Sequence, residues 1–152
     1  MYKKALTLIL TSFFVLILAA CTNQNESAAI SELSTTEKMH FKQYIVYGQQ
    51  LYKQHCSNCH QDDGSGLGRL IPPLAKADYM LEDVNRTVCT IKYGLAGEII
   101  VNGESYNQKM PANKQLTDLE IAQITTYILN SWGNEKGYIS VKEASGYLKT
   151  CE

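Results

Sequence analysis

The feature that most constrains this chain is the run CSNCH at residues 56–60, which has the pattern Cys56-x-x-Cys59-His60. Two thiols and an imidazole at this spacing can bind a metal ion, form a redox-active dithiol, or attach and ligate a haem. The rest of the 152-residue sequence distinguishes among these chemistries.

Two of the three chemistries are disfavoured by the surrounding sequence. Structural zinc takes four tetrahedral ligands, usually as two local pairs, whereas Cys89 and Cys151 stand singly. A thioredoxin-like dithiol would follow a strand and open a helix. Here the motif follows a helical pattern and enters the glycine- and proline-rich run QDDGSGLGRLIPP at 61–73. Zinc binding and dithiol chemistry are therefore kept only as minor alternatives.

Haem attachment makes a demand that the chain meets. Two thiols three positions apart on a helical turn can form thioethers with the vinyl groups on one porphyrin edge, and the histidine that follows becomes the proximal iron ligand. At Cys56, Cys59 and His60 the sequence resembles the class I cytochromes c. The resemblance covers roughly residues 41–133. It implies a mainly α fold of three to four helices around one covalent haem c.

The resemblance also implies a distal ligand. Met110 is followed by Pro111 and stands just ahead of the last strongly predicted helix, where the family places its distal methionine. We therefore expect His60 and Met110 to be the two metal ligands. Met39 precedes the domain, and Met80 is expected to pack in the core.

Two further features match the family. Gly48 and Tyr52 correspond to a glycine and an aromatic residue where the first and last helices cross closely, and Tyr127 is expected to pack there. A carbonyl in the Pro72-Pro73 loop is expected to accept a hydrogen bond from Nδ1 of the proximal histidine. Whether Pro72, Pro73 or a neighbouring residue supplies that carbonyl is left open.

Hydrophobic periodicity predicts the first two helices of the domain. Apolar residues at helical spacing predict a helix over 41–54 that leads directly into the cysteine motif. A second helix is predicted over 81–93 and is ended by Gly94. The dipeptide Asn102-Gly103 between short strand-like runs predicts a small β-hairpin.

Capping signals predict the C-terminal helices. Thr117 and Glu120 form a capping box that opens a helix running towards Gly133. Ser140 and Glu143 form another, which opens a short helix in the tail. We assign residues 41–133 to the cytochrome c domain and residues 134–152 to a C-terminal extension.

The N-terminus predicts export. The stretch MYKKALTLILTSFFVLILAAC has the basic, apolar and small-residue regions of a signal peptide, and its last four residues resemble the lipobox of bacterial lipoproteins. We predict a signal peptide over 1–20, lipidation of Cys21, and a polar flexible tether over 21–40. The alternative is an uncleaved membrane helix. Both place the domain outside the cytoplasm, facing the periplasm and held to a membrane.

Two cysteines are left over once the haem and lipid sites are assigned. Cys89 and Cys151 would lie in an oxidising compartment, where two leftover thiols favour a disulfide. Such a bond would pin the tail to the second predicted helix.

Charge and ligation together indicate the class of function. The chain has 14 basic and 15 acidic residues, and two of the basic residues lie in the predicted signal peptide. The mature protein is then mildly acidic, which argues against nucleic acid as a partner. A histidine and a methionine at both axial positions leave no open site on the iron, so we expect an electron carrier and not an enzyme, with no catalytic residues. We expect a monomeric shuttle between respiratory complexes or dehydrogenases and a terminal oxidase or reductase. The alternatives are a fixed cytochrome c subunit of a dehydrogenase or reductase complex and a haem-based gas sensor.

Overall fold

The computed structural model describes residues 28–151. The predicted signal peptide, the predicted lipidation site Cys21 and residues 21–27 of the predicted tether lie outside the described residues. The helices within them are α1 (Ala28–Ser31), α2 (Thr35–His55), α3 (Ser57–His60), α4 (Asp78–Glu82), α5 (Val84–Tyr93), α6 (Asp118–Ile128) and α7 (Val141–Leu148), and the strands are β1 (Ile99–Val101) and β2 (Glu104–Tyr106). None of these helices is long and apolar enough to cross a membrane. The predicted mainly α fold is confirmed.

Helices α2 and α6 pack across each other at the centre of the core. Gly48 of α2 approaches α6 so closely that a Cβ at this position would lie 2.1 Å from the carbonyl oxygen of Gln123. One turn further along α2, the ring of Tyr52 packs against that of Tyr127, with 5.4 Å between the ring centroids. The predicted close crossing is therefore present, and it depends on a missing side chain in α2.

The segment predicted as one helix over 81–93 forms two helices instead. Asp83 breaks it with an extended backbone (φ −136°, ψ 97°), and its carboxylate accepts a hydrogen bond from the N–H of Arg86 as the N-cap of α5. Hydrophobic periodicity continues across such a break, which is why periodicity alone did not reveal it. Helix α5 ends as predicted at Gly94, whose φ of 78° favours glycine.

The predicted β-hairpin is confirmed. Strands β1 and β2 are antiparallel and pair Ile99 with Tyr106 and Val101 with Glu104. The turn residue Asn102 has φ 51°, and Gly103, which follows it, has φ 81°. Positive φ at both turn residues matches the right-handed twist of the strands.

The tail covers one side of the core. Helix α7 packs against α5 and α6, and its Ala144 is fully buried. The hydroxyl of Thr126 donates to the carbonyl of Ile139 and accepts from its N–H, both at 3.2 Å. The buried Asn134 side chain accepts from the N–H of Lys76 at 2.8 Å. These contacts tie the tail to α6 and to the loop before α4.

Two helix boundaries differ from the predicted ones. Helix α2 begins at Thr35 because Ser34 and Glu37 form a capping box, so residues 35–40 of the predicted tether are helical. Helix α6 ends at Ile128, short of Gly133. The side chains of Asn130 and Ser131 donate to carbonyls of its last turn, which satisfies those groups without further helix.

Candidate haem site

The Cys-x-x-Cys-His motif lies where α2 passes into the one-turn helix α3. The N–H of Cys56 donates to the carbonyl of Tyr52 at 2.8 Å and so ends α2. The carbonyl of Cys56 accepts from the N–H groups of Cys59 and His60, at 3.1 and 3.0 Å. One helical turn therefore carries both thiols and the imidazole. Both thiols are unpaired, with Cys56 half-buried and Cys59 exposed.

The environment of the thiols argues against the two minor alternatives. Burial, with a smaller contribution from Cys59, raises the pKa of the Cys56 thiol to about 12. A redox-active dithiol needs a thiol with a lowered pKa. Within residues 28–151 no group of three or more His, Cys, Asp or Glu side chains is arranged to hold a metal ion. The described residues therefore do not supply the four ligands of a structural zinc site.

The buried ring of His60 has a defined orientation. Its Nδ1–H donates to the carbonyl of Pro72 at 3.2 Å. The accepting carbonyl, which the sequence did not assign to a residue, therefore belongs to Pro72. Burial lowers the pKa of His60, and the bond to Pro72 opposes that shift. Because a carbonyl only accepts, Nδ1 carries the proton and Nε2 keeps a lone pair. A neutral imidazole held in this way is suited to ligate iron through Nε2.

Gly66 allows the loop over 61–73 to return to His60. Its N–H donates to the carbonyl of His60 at 3.0 Å, and its φ is 71°. A Cβ at Gly66 would lie 2.3 Å from the carbonyl oxygen of Ile71 and 2.6 Å from that of Pro72. A glycine at this position thus brings the accepting carbonyl to the ring.

Met110 is fixed on the loop that follows the hairpin. Its N–H donates to the carbonyl of Leu95 at 2.9 Å, and its carbonyl accepts from the N–H of Leu95 at 3.1 Å. Gly94 lies so close that a Cβ there would come 2.5 Å from the carbonyl oxygen of Met110. The end of α5 therefore sets the backbone position of the predicted distal ligand.

A cavity of ≈ 290 Å³ brings the four predicted site residues together. Cys56, Cys59, His60 and Met110 all line it. The rest of the wall is mainly apolar and includes Met80 of α4, Ile91 of α5, Val101 of β1, and Ile124 and Ile128 of α6. An apolar cleft lined by two cysteines with unpaired thiols, a histidine and a methionine fits a covalently attached haem.

Some residues of the cavity wall were missed by the sequence analysis. Met80, expected in the core, is buried and also lines the cavity. Ile99, Val101 and Tyr106 line it from one face of the hairpin. Strand alternation would have placed them on a common face, but nothing local indicates which face meets the cavity.

The other described histidine, cysteine and methionine residues, whose side chains could ligate a metal, lie outside the cavity wall. His40 and His55 are exposed, as is Met39. Cys89 of α5 and Cys151 are joined in a disulfide with a Cα–Cα distance of 5.5 Å. Neither of these two cysteines lines the cavity.

Comparison with known proteins identifies the family of the chain. The family model described as cytochrome c matches residues 45–132, a span that includes the cysteine motif and Met110. Cytochrome c-552 of Thermus thermophilus is 38% identical over 93 residues, which cover 59% of this chain and 70% of that protein. The cytochrome c subunit of alcohol dehydrogenase (quinone) from Gluconobacter oxydans (strain 621H) is 30% identical over 90 residues, 57% of this chain but only 18% of that subunit. The chain belongs to the cytochrome c family.

Proposed function

We propose that this protein carries single electrons on one c-type haem that is attached to Cys56 and Cys59 and ligated by His60 and Met110. The observation that carries the proposal is one apolar cavity that Cys56, Cys59, His60 and Met110 all line. Membership of the cytochrome c family implies a covalently bound haem c.

The ligand set favours electron transfer over catalysis. When bound, the haem supplies an iron that changes valence by one electron. His60 offers Nε2 from a ring held by Pro72, and Met110 offers a soft thioether that favours ferrous iron and raises the reduction potential. If His60 and Met110 both held the iron, no position on it would remain for oxygen, peroxide or a substrate.

The apolar wall supports the same function. Side chains such as Ile91, Ile124 and Ile128 exclude water from the cavity and lower the local polarity. A site of low polarity disfavours the additional positive charge of ferric iron, which again raises the potential.

We also propose that the protein is exported and held to a membrane by a lipid on Cys21. The support is the signal-peptide pattern of residues 1–20 and the small residues directly before Cys21. Anchoring raises the effective concentration of redox partners on the same membrane. The partners would be a respiratory complex or dehydrogenase as donor and a terminal oxidase or reductase as acceptor, met by a monomer through small, weak interfaces.

Optical spectroscopy of the exported holoprotein tests the ligand set. The intact mass should include one haem, and the oxidised protein should show a methionine-to-iron charge-transfer band. Met110→Ala should abolish the band and make the reduced form bind carbon monoxide rapidly. Met80→Leu is the matched control, because Met80 lines the same cavity, and it should keep the band.

Three outcomes would contradict the proposal in different ways. A mass without a haem would end it altogether. A band lost in Met80→Leu and kept in Met110→Ala would make Met80 the ligand. Rapid carbon monoxide binding by the reduced wild-type protein would favour the gas sensor over a closed electron carrier.

A fixed subunit is the second candidate function. Its support is the similarity to alcohol dehydrogenase (quinone) cytochrome c subunits, including one from Gluconacetobacter polyoxogenes that is 32% identical over 93 residues. Mild detergent extraction separates the two candidates. A shuttle should be recovered free of partners, whereas recovery only with stoichiometric partner subunits would establish the fixed subunit.

A further inference from the structure

We propose that Lys92 is a positioning residue for Met110: its ammonium group holds the loop 110–116 against α5 and so keeps the methionine thioether in the cavity. The inference rests on the proposed function, in which Met110 is the distal ligand. It adds a residue that does not touch the cavity and acts through the main chain of the loop.

Lys92 makes two hydrogen bonds to the loop from the last turn of α5. Its Nζ donates to the carbonyl of Lys114 at 3.0 Å and to the carbonyl of Leu116 at 2.6 Å. The second bond is partly buried, and Leu116 itself is 3% exposed. Hydrogen bonds from a charged donor are stronger than neutral ones, the more so where water is partly excluded.

The loop that Lys92 holds is otherwise fixed by uncharged contacts, among them the side chain of Leu116, which is buried in the core. Residues 111–116 form no helix or strand. Beyond the paired bonds between Leu95 and Met110, the side-chain amide of Asn113 donates to the carbonyl of Ile91 at 3.2 Å. Lys92 thus supplies the charged bonds to a segment that is otherwise held by neutral ones.

Lys92 is placed at the junction of three parts of the site. Its neighbour Ile91 lines the cavity, its amine reaches the ligand loop, and its charge extends to the start of α6. There, hydrogen bonds from Thr117 are the main cause of a lowered pKa at Glu120, to which Lys92 adds a smaller electrostatic contribution. The ammonium group of Lys92 therefore joins the end of α5, which carries the cavity residue Ile91, to the loop.

The test uses three variants of the holoprotein. Lys92→Met removes the ammonium and keeps the length of the side chain, Lys92→Arg keeps a charged donor, and Lys114→Met is the control. Lys114 accepts from Lys92 only through its main-chain carbonyl, so this control removes one positive charge from the same loop without removing the hydrogen bond.

Two measurements report on the loop. The saturating rate of imidazole binding to the ferric protein measures how often the loop opens, and amide hydrogen exchange of Leu95 and Met110 measures opening without reference to the iron. Lys92→Met should raise both by roughly tenfold, since two charged hydrogen bonds are lost while the neutral ties remain. Lys92→Arg should stay close to wild type, and Lys114→Met should match it. Protection of core amides in α6 should change much less.

The outcomes separate the positioning role of Lys92 from the assignment of Met110 as a ligand. A wild-type charge-transfer band with unchanged imidazole and exchange rates in Lys92→Met would overturn the role of Lys92 alone. Equal acceleration in Lys92→Met and Lys114→Met would show an effect of net charge and overturn it as well. Faster exchange throughout the chain would mean general destabilisation, again against the proposal. Absence of the band in the wild-type protein would overturn the assignment of Met110 as a ligand and, with it, the positioning role of Lys92.

Discussion

At the scale of single residues, two helical glycines have opposite surroundings. Gly48 in α2 faces α6, where a Cβ would lie 2.1 Å from the carbonyl oxygen of Gln123 and 2.7 Å from Cβ of Tyr127. A Cβ at Gly146 in α7 would meet nothing within 4 Å outside its own helix. Since backbone atoms cannot rotate away, only the first position requires the absence of a side chain.

Alanine at these two positions should therefore change stability in opposite directions. Gly48→Ala should lower the free energy of unfolding by about 2 kcal/mol or more, because α2 and α6 must separate. Gly146→Ala should raise it by roughly 0.5–1 kcal/mol, because it restricts the unfolded chain and favours helix. Urea denaturation of the holoproteins measures both. A neutral or stabilising Gly48→Ala would refute the close crossing.

At the scale of helices, the capping boxes define where three helices begin. Ser34 opens α2, Thr117 opens α6 and Ser140 opens α7, each with a glutamate three residues later. The hydroxyl accepts from the backbone N–H of the glutamate, and the carboxylate accepts from the N–H of the cap. These reciprocal bonds satisfy donors that the first helical turn leaves free.

The box at α6 makes stability depend on pH. The N–H and hydroxyl of Thr117 each donate to Glu120 at 2.8 Å and lower the pKa of that carboxyl. A carboxyl with a lowered folded pKa stabilises the fold at pH above its unfolded pKa and loses this effect as pH falls through the folded value. Glu120→Gln keeps an acceptor but not the charge. It should be less stable than wild type at neutral pH by roughly a few tenths of a kcal/mol, since exposed groups are screened.

The measurement is urea denaturation of both proteins from neutral pH down to about pH 3, below the ordinary pKa of glutamate. The gap between them should close as pH falls. The same substitution in a Thr117→Ala background should open a smaller gap, because the hydroxyl donor is gone and only the N–H of residue 117 still donates to Glu120. A gap that is independent of pH would contradict this role of Glu120.

Helix boundaries show how far local signals extend. The boxes at Thr117 and Ser140 predicted the starts of α6 and α7, but the first helix was predicted from apolar spacing and its polar first turns were missed. The box of Ser34 with Glu37 does mark that start. The break at Asp83 was missed for a related reason, because the spacing of apolar residues does not reveal a single extended residue.

At the scale of the whole molecule, contacts between segments that are distant in sequence hold the structure around the site together. Asn134 accepts from the N–H of Lys76 and donates to the carbonyls of Leu74 and Ile128, at 2.8, 3.0 and 2.7 Å. Its partners near α4 lie about sixty residues away in sequence, as the separations of 58 and 60 show. The cysteine motif and the Met-Pro pair were recognisable because their chemistry is local or shared by a family. The face of the hairpin and the contacts of Asn134 depend on packing that no short pattern records.

The disulfide joins the tail to α5. Cys89 of α5 and Cys151 are separated by 62 positions, and α7, which lies between them in sequence, packs on both α5 and α6. Replacing both cysteines with serine should lower the free energy of unfolding by about 4 kcal/mol, because the unfolded chain regains the entropy of a long open loop. Haem content and the optical spectrum should be unchanged, because neither residue lines the cavity.

Alkylation and denaturation together decide this prediction. Unreduced holoprotein, in which Cys56 and Cys59 are taken up by thioethers, should offer no reactive thiol at Cys89 or Cys151, and reduction should expose two. The serine double variant should have the stability of the reduced wild-type protein, because both lack only the crosslink. Two reactive thiols before reduction would show that the bond is absent. A double variant as stable as the oxidised protein would show that packing of α7 alone holds the tail, and that the crosslink adds nothing to the core it covers.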